Sequence, residues 1–301
     1  MRKILITTML VLFSVSSQAQ ILYKISGNGL KESSYIVGTY HAAKASFVDS
    51  IPGARRVMDE CQQTYGELRM QDMLIPDTMN IVQNAQLLPE GTTIDHVLSA
   101  DEMTRLNAYM KKILGIDFTI PEVAKQMGRF TPVAINIQLS MALYFKKEKG
   151  FDPNNLIDSY FQKQALAQGK NVGGLETYSF QAKALYQGKT LERQKEGLMC
   201  MVDNPDFTDM MIEAVTKAYY SQDLDAIKEA FDTKLHNSCD ATPEEEAQII
   251  YDRNANWVTK MPAIMEQKST LFAVGAGHLI GDKGVLNLLR QVGYTVEAVT
   301  E

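Results

Sequence analysis

The chain has 301 residues, with 30 Lys and Arg against 36 Asp and Glu, a formal charge of −6 and 45% hydrophobic residues. An acidic balance of this kind speaks against nucleic acid as a partner, because binding a polyanion needs an excess of basic groups. The length and apolar content suffice for one large domain with a substantial core.

Arg2 and Lys3, an apolar run from Ile4 to Val15 and a small or polar tail to Gln20 read as a signal peptide over residues 1–19. Ser17 and Ala19 suit the cleavage site, and no cysteine follows for lipidation. The apolar run is shorter than the roughly 20 residues of a membrane span, and no later stretch is longer. Residues 20–301 are therefore expected as a single domain, periplasmic or secreted, whose formal charge moves from −6 to −8 once Arg2 and Lys3 are gone.

Ser34–Val37 is a short strand, SYIV, followed by Gly38, Thr39, Tyr40 and His41. Pro52–Gln62 reads as a helix with Ala54, Val57, Met58 and Cys61 on one apolar stripe, which makes Cys61 a core thiol. Thr64–Leu68 is the next strand and carries Glu67 near its end, where a carboxylate needs a partner or a cation. From about residue 73 to 168 the pattern is helical, with Pro132 interrupting a stretch over 123–149, and this region is expected as a cap over a sheet. His96 lies within it, without a partner motif, as a structural residue.

Val172–Leu175 is a strand whose two glycines permit close backbone approach, and Glu176 ends it. A second helical region, about 180–266, holds a polar loop over Cys200–Asp206 and a charged helix start after Thr242 and Pro243. Cys200 and Cys239 lie in polar contexts and are expected to form a disulfide closing a loop of about 40 residues. Arg253 and Asn254 stand on a helix just before the last strands, where the arginine can bind a carboxylate of the site or substrate or form a surface ion pair.

Leu271–Val274 is wholly apolar, ends at Gly275 and leads to His278, which repeats the strand-glycine-x-x-histidine order of Gly38–His41. Asp282 is the expected cap of a helix with Val285, Leu288, Leu289 and Val292 on one face, and Tyr294–Val299 is the final strand. In open α/β sheets ligands sit at the carboxyl ends of strands, so His41, Glu67, Glu176 and His278 are the candidate site residues. The two histidines can share a ligand only if their strands are sheet neighbours. A dinucleotide fingerprint is a poor fit, since Ile280 occupies the third glycine position.

Together, GTYH at 38–41, LPEGTTI at 88–94, GKNVGGLET with Gln181 beyond it, RN at 253–254 and AVGAGHLIGDKGVLNLLRQVGYTV at 273–296 resemble the TraB/PrgY/GumN family, to which the Tiki proteases are similar. The resemblance covers nearly the whole mature chain. It implies an EreA/ChaN-like α/β fold, a central mixed, partly parallel sheet with flanking helices and a helical cap. It also implies a metal-dependent hydrolase, most specifically a peptidase, acting on peptide or protein substrates. In that reading His41, His278 and Glu67 hold a divalent ion such as Mn, Co or Zn, Glu176 is the general base, with the two glutamates exchangeable in role, and Arg253 and Asn254 contact substrate. Metal would leave as the histidines protonate below about pH 6. Where relatives often carry an aspartate two residues beyond the strand-end glutamate, this chain has Arg69. The alternative is a protein of the same fold that sequesters a peptide or a haem-like ligand without catalysis.

Overall fold

The apolar runs that end in glycine form the middle of one six-stranded sheet. The computed structural model describes residues 20–147, Asp152 and residues 155–300, so the expected signal peptide lies outside the described residues. The strands are β1 (Leu22–Ser26), β2 (Ser34–Thr39), β3 (Gln63–Gly66), β4 (Asn171–Gly174), β5 (Thr270–Gly275) and β6 (Thr295–Ala298), in the order β4-β3-β5-β2-β1-β6. β4, β3, β5 and β2 run parallel, whereas β1 pairs antiparallel with β2 and β6. The chain is α/β, with a mixed, partly parallel sheet flanked by helices, as the strand pattern predicts.

β2 is buried throughout and β5 nearly so, because both have strands on either side and helices on either face. Strand alternation sends Tyr35, Val37, Leu271 and Ala273 into one apolar layer and Ile36, Phe272 and Val274 into the other. Helices Ala54–Glu60 and Ile157–Ala167 complete the first layer, and helices Asp252–Gln267 and Val285–Gln291 the second. The buried stripe of Asp252–Gln267 is Arg253, Asn254, Trp257, Val258, Met261 and Met265, close to the i, i+4 spacing that puts a polar pair and an apolar run on one helix face.

A third cluster forms the core of the helical cap. Ile94, Leu106, Met110, Ile135 and Leu139 pack with Leu198 and Val202 of helix Leu191–Asp203, so a later segment of chain contributes to the cap. Helix Ile157–Ala167 packs on the sheet layer through Ile157 and Phe161. Pro132 begins helix Pro132–Lys147, a position where its missing N–H costs no hydrogen bond. His96 Nδ1 accepts from the Thr93 amide and completes a capping box.

Two local expectations are corrected. The helix after β5 starts at Val285 with Gly284 as its cap, not at Asp282. Gly281, at φ +74°, and Gly284 close a tight turn first, and a Cβ on Gly284 would lie 2.3 Å from the Ile280 carbonyl oxygen, so glycine alone fits there. Residues Cys200–Asp203, expected in a loop, continue helix Leu191–Asp203, and Pro205 opens the next helix after a single intervening residue, Asn204. Cys200 and Cys239 are nevertheless joined, with Cα atoms 5.6 Å apart, and Cys61 is a buried free thiol. No described helix is long and apolar enough to cross a membrane.

Candidate active site

Four parallel strands bring His41, Glu67, Glu176 and His278 to one edge of the sheet. β2 and β5 are neighbours, with Thr39 paired to Gly275, so the two strand-glycine-x-x-histidine turns lie side by side. β3 and β4 pair as well, and the Glu176 amide donates to the Glu67 carbonyl at 2.9 Å. The glycines of β4 allow this closeness: a Cβ on Gly173 would lie 2.3 Å from the Tyr65 ring.

At the centre stands Arg253, 4% exposed. Its Nη2 donates to Glu67 Oε2 at 2.6 Å and Glu176 Oε1 at 2.7 Å, and its Nε donates to both Glu176 oxygens at 3.2 Å. Its Nη1 donates to the Ile249 carbonyl at 2.9 Å and to His278 Nε2 at 3.1 Å. Of the two readings open to Arg253 in the sequence, the surface ion pair is excluded by its burial. Gln181 Nε2 bridges the same carboxylates, 3.1 Å from Glu67 Oε2 and 3.0 Å from Glu176 Oε1. Trp257 Nε1 donates to Glu176 Oε2 at 3.0 Å, and the Gly275 amide donates to Glu67 Oε1 at 2.8 Å.

The tautomer of His278 follows from its neighbours. Asn254 Nδ2 donates to the carbonyls of Lys283, at 2.9 Å, and His278, at 3.3 Å, which turns its Oδ1 toward His278 Nδ1 at 2.7 Å. Nδ1 therefore carries the proton, and Nε2 has a free electron pair, consistent with its acceptance from Arg253. Burial, opposed by Glu67 and reinforced by Arg253 and His41, lowers the His278 pKa to about 4, so the ring is neutral. His41 is the opposite case. Its exposed ring sets Nδ1 3.1 Å from Asp158 Oδ2, while Thr39 Oγ1 bonds the other Asp158 oxygen. The charge of Asp158, then its hydrogen bond, raise the His41 pKa to about 9.

For Glu67, burial is the largest influence and would raise the pKa. His278, Arg253, His41 and the Gly275 amide together override it and hold the carboxyl down to about 2. Both glutamates thus belong to a charged cluster closed around a guanidinium.

Among the described residues, no three His, Cys, Asp or Glu side chains converge as ligands of one ion. The donor chemistry fits a divalent ion all the same. Each histidine is fixed through Nδ1, one by Asn254 and one by Asp158, which leaves both Nε2 atoms for coordination in the way metal-ligating imidazoles are oriented. Glu67 adds an ionised carboxylate. In the present arrangement Glu67 and His278 spend hydrogen bonds on Arg253 instead.

Residues 21–298 match the TraB/PrgY/gumN family. The chain belongs to that family. It is 25% identical over 307 residues to Metalloprotease TIKI2 of Xenopus tropicalis, which covers 87% of this chain and 57% of the relative. It is 25% identical over 309 residues to Metalloprotease TIKI1 of Homo sapiens, at 88% and 59% coverage, and 22% identical over 315 residues to a Metalloprotease TIKI homolog of Nematostella vectensis, at 88% and 64%. The chain therefore spans 57% to 64% of the length of these relatives. No solved structure matches.

Within this TraB/PrgY/gumN chain two residues of the site carry no motif. Asp158 belongs to a helix far from His41 in sequence, and no local pattern links them. Trp257 has a weak signal: it is the one tryptophan of the chain and stands a helical turn beyond Arg253, on the same face and 5.0 Å from the guanidinium. Glu176, whose side chain is 1% exposed, accepts from Arg253, Trp257 and Gln181. Both of its oxygens are committed, so in this arrangement it anchors Arg253 and offers no open acceptor to a water.

Proposed function

We propose that this chain is an exported metal-dependent hydrolase of peptide or protein substrates, with His41, His278 and Glu67 as the residues that hold a divalent ion such as Mn, Co or Zn. The observation that carries the reading is the pair of adjacent parallel strands ending in oriented imidazoles, with the Glu67 carboxylate in electrostatic reach of both. When bound, such an ion lowers the pKa of its water towards ~7 and polarises a carbonyl.

The chain's own residues supply the rest. Asn254 and Asp158 hold the imidazoles in orientation, and Glu176, Gln181 and Trp257 hold Arg253. All five N–H bonds of Arg253 are engaged, one of them to His278 Nε2. Were His278 Nε2 engaged in holding an ion, the Nη1 hydrogen it now accepts would be left for a substrate oxygen, where Arg253 would stabilise developing negative charge. Arg253 is then the substrate-side electrophile, and Glu176 its fixed counter-charge rather than the general base.

The test is metal content and peptide turnover of the purified mature protein, with and without chelator. Wild type is expected to carry a divalent ion and to lose turnover on chelation, and His41→Ala and His278→Ala to lose metal and activity together. If both variants bind metal and hydrolyse peptides like wild type, the hydrolase reading fails and non-catalytic sequestration on the same fold takes its place.

A further inference from the structure

Beside the turn that carries His278 lies a cavity of about 580 Å³. Phe231, Ile249, Ile250, Tyr251 and Ile280 supply its apolar lining, and Gly277 forms part of the wall. We propose that this cavity is a side-chain subsite, taking an apolar or aromatic residue of a peptide next to the reacting bond. The proposal rests on the hydrolase reading above and adds the chemistry of the substrate to it.

Three observations carry it. First, the cavity and the charged centre share their backbone. Gly277 precedes His278, Tyr251 lies two residues before Arg253, and the Ile249 carbonyl accepts from Arg253 Nη1, yet none of the four strand-end residues lines the cavity. A chain bound at the centre thus has this space alongside it.

Second, the lysines at the cavity, Lys189, Lys228, Lys234 and Lys283, are matched in number by Asp232, Glu245, Glu246 and Asp282, and most of these charges already have a partner. Lys228 bonds Asp232, Lys234 bonds Glu246, Lys189 lies 3.4 Å from Glu245, and Lys283 stacks 5.0 Å over Tyr251. A free anion or cation gains little from a rim whose charges balance, so the apolar lining decides what enters. Phe231 is 48% exposed, although Ile227 and Ala230 of the same helix are buried, and its ring stands against Gly277, where a Cβ would meet Phe231 Cζ at 3.1 Å.

Third, Ala247–Tyr251 is a π-helical segment, an arrangement with poorer packing than an α-helix and one frequently retained at functional sites. Here it sets Ile249, Ile250 and Tyr251 along the cavity and delivers Arg253 to the centre.

Two measurements on the full mature chain test the proposal. Fluorine NMR follows binding of N-acetyl-4-fluorophenylalanine amide, with N-trifluoroacetylglycine amide as the control. A fluorogenic peptide set, varied at single positions, follows kcat/KM. Wild type should bind the aromatic probe and not the control, and should prefer Phe or Leu over Ala at one position by about 10- to 200-fold in kcat/KM. Phe231→Asp should abolish probe binding and flatten that preference, and Ile250→Trp should shift it towards smaller side chains. His278→Ala should still bind the probe. Wild-type failure to bind the probe, or unchanged binding and preference in both cavity variants, overturns the subsite. Probe binding that Phe231→Asp removes, in a wild type without chelator-sensitive turnover, refutes the hydrolase reading and leaves the cavity as a binding site for apolar side chains.

Discussion

Replacing Arg253 by Gln removes one positive charge from between two largely buried carboxylates. The side chains of Arg253, Glu67 and Glu176 are 5%, 14% and 1% exposed. Breaking a buried pair by taking away one partner typically costs ~3–5 kcal/mol, because the remaining charge stays buried without compensation. The depressed Glu67 pKa gives an independent figure. Its fall from 4.5 to about 2 corresponds to roughly 3 kcal/mol that favours the ionised folded state, to which Arg253 contributes together with His41 and the Gly275 amide. This stability is present above pH 4.5 and lost as pH falls towards 2. Urea unfolding near neutral pH, followed by circular dichroism, should therefore show a loss of about 3–5 kcal/mol for Arg253→Gln with an unchanged denaturant slope. Added Mn, Co or Zn should recover part of the loss, since a divalent ion held by His41, His278 and Glu67 would return positive charge to the cluster. A loss below about 1 kcal/mol would mean that the cluster is screened like a surface ion pair, and the account of the site given above would be wrong.

Trp257→Phe keeps an aromatic ring in the core but removes the donor to Glu176 Oε2, and should cost about 1–3 kcal/mol in urea unfolding; no measurable change would show that Glu176 does not need the indole N–H. His278 stays neutral down to about 4, so below 6.5 the unfolded chain takes up a proton that the folded chain refuses. The His278 contribution is complete above pH 6.5 and declines towards pH 4 by up to about 1.4 kcal/mol per unit, a slope that His278→Gln should remove when urea midpoints are compared across that window. The Cys200–Cys239 bridge spans a separation of 39 residues and should contribute about 3–4 kcal/mol; peptide mapping without reductant and unfolding with and without reductant check both the pairing and its effect.

The sheet was legible because burial on both faces leaves a plain mark, a continuous apolar run closed by glycine, and β2 and β5 carry it. The strand-end positions of His41, Glu67, Glu176 and His278 follow once the strands are placed. Local sterics hid the start of the last helix, because Asp282 has the chemistry of a cap whereas the turn through Gly281 and Gly284 takes precedence. The burial of Arg253 was hidden for a different reason. A lone arginine on a helix is indistinguishable from a solvated one until the partners of its five donors are known, and those partners come from β3, β4, the turn after β5 and the preceding helical turn. Asp158 was illegible in the same way, since its relation to His41 exists only after β2 and helix Ile157–Ala167 have packed.

The two histidines show how far tertiary context overrides a repeated motif. Both follow a buried strand and a glycine, yet His278 faces an amide oxygen in a closed interior and His41 faces a carboxylate at the surface. The same imidazole is therefore a neutral acceptor in one turn and, with its pKa raised to about 9, a cation in the other. Equal histidines that ionise at their ordinary value of 6.5 would release metal only below about pH 6. Here the limiting step is the loss of the His41 proton, because a ligand must be neutral. Coordination through His41 must then expel that proton at neutral pH, and affinity should rise with pH up to about 9. Asp158 has two opposed effects in this scheme: it orients Nε2 of His41 for an ion, and its charge stabilises the protonated ring that an ion must displace.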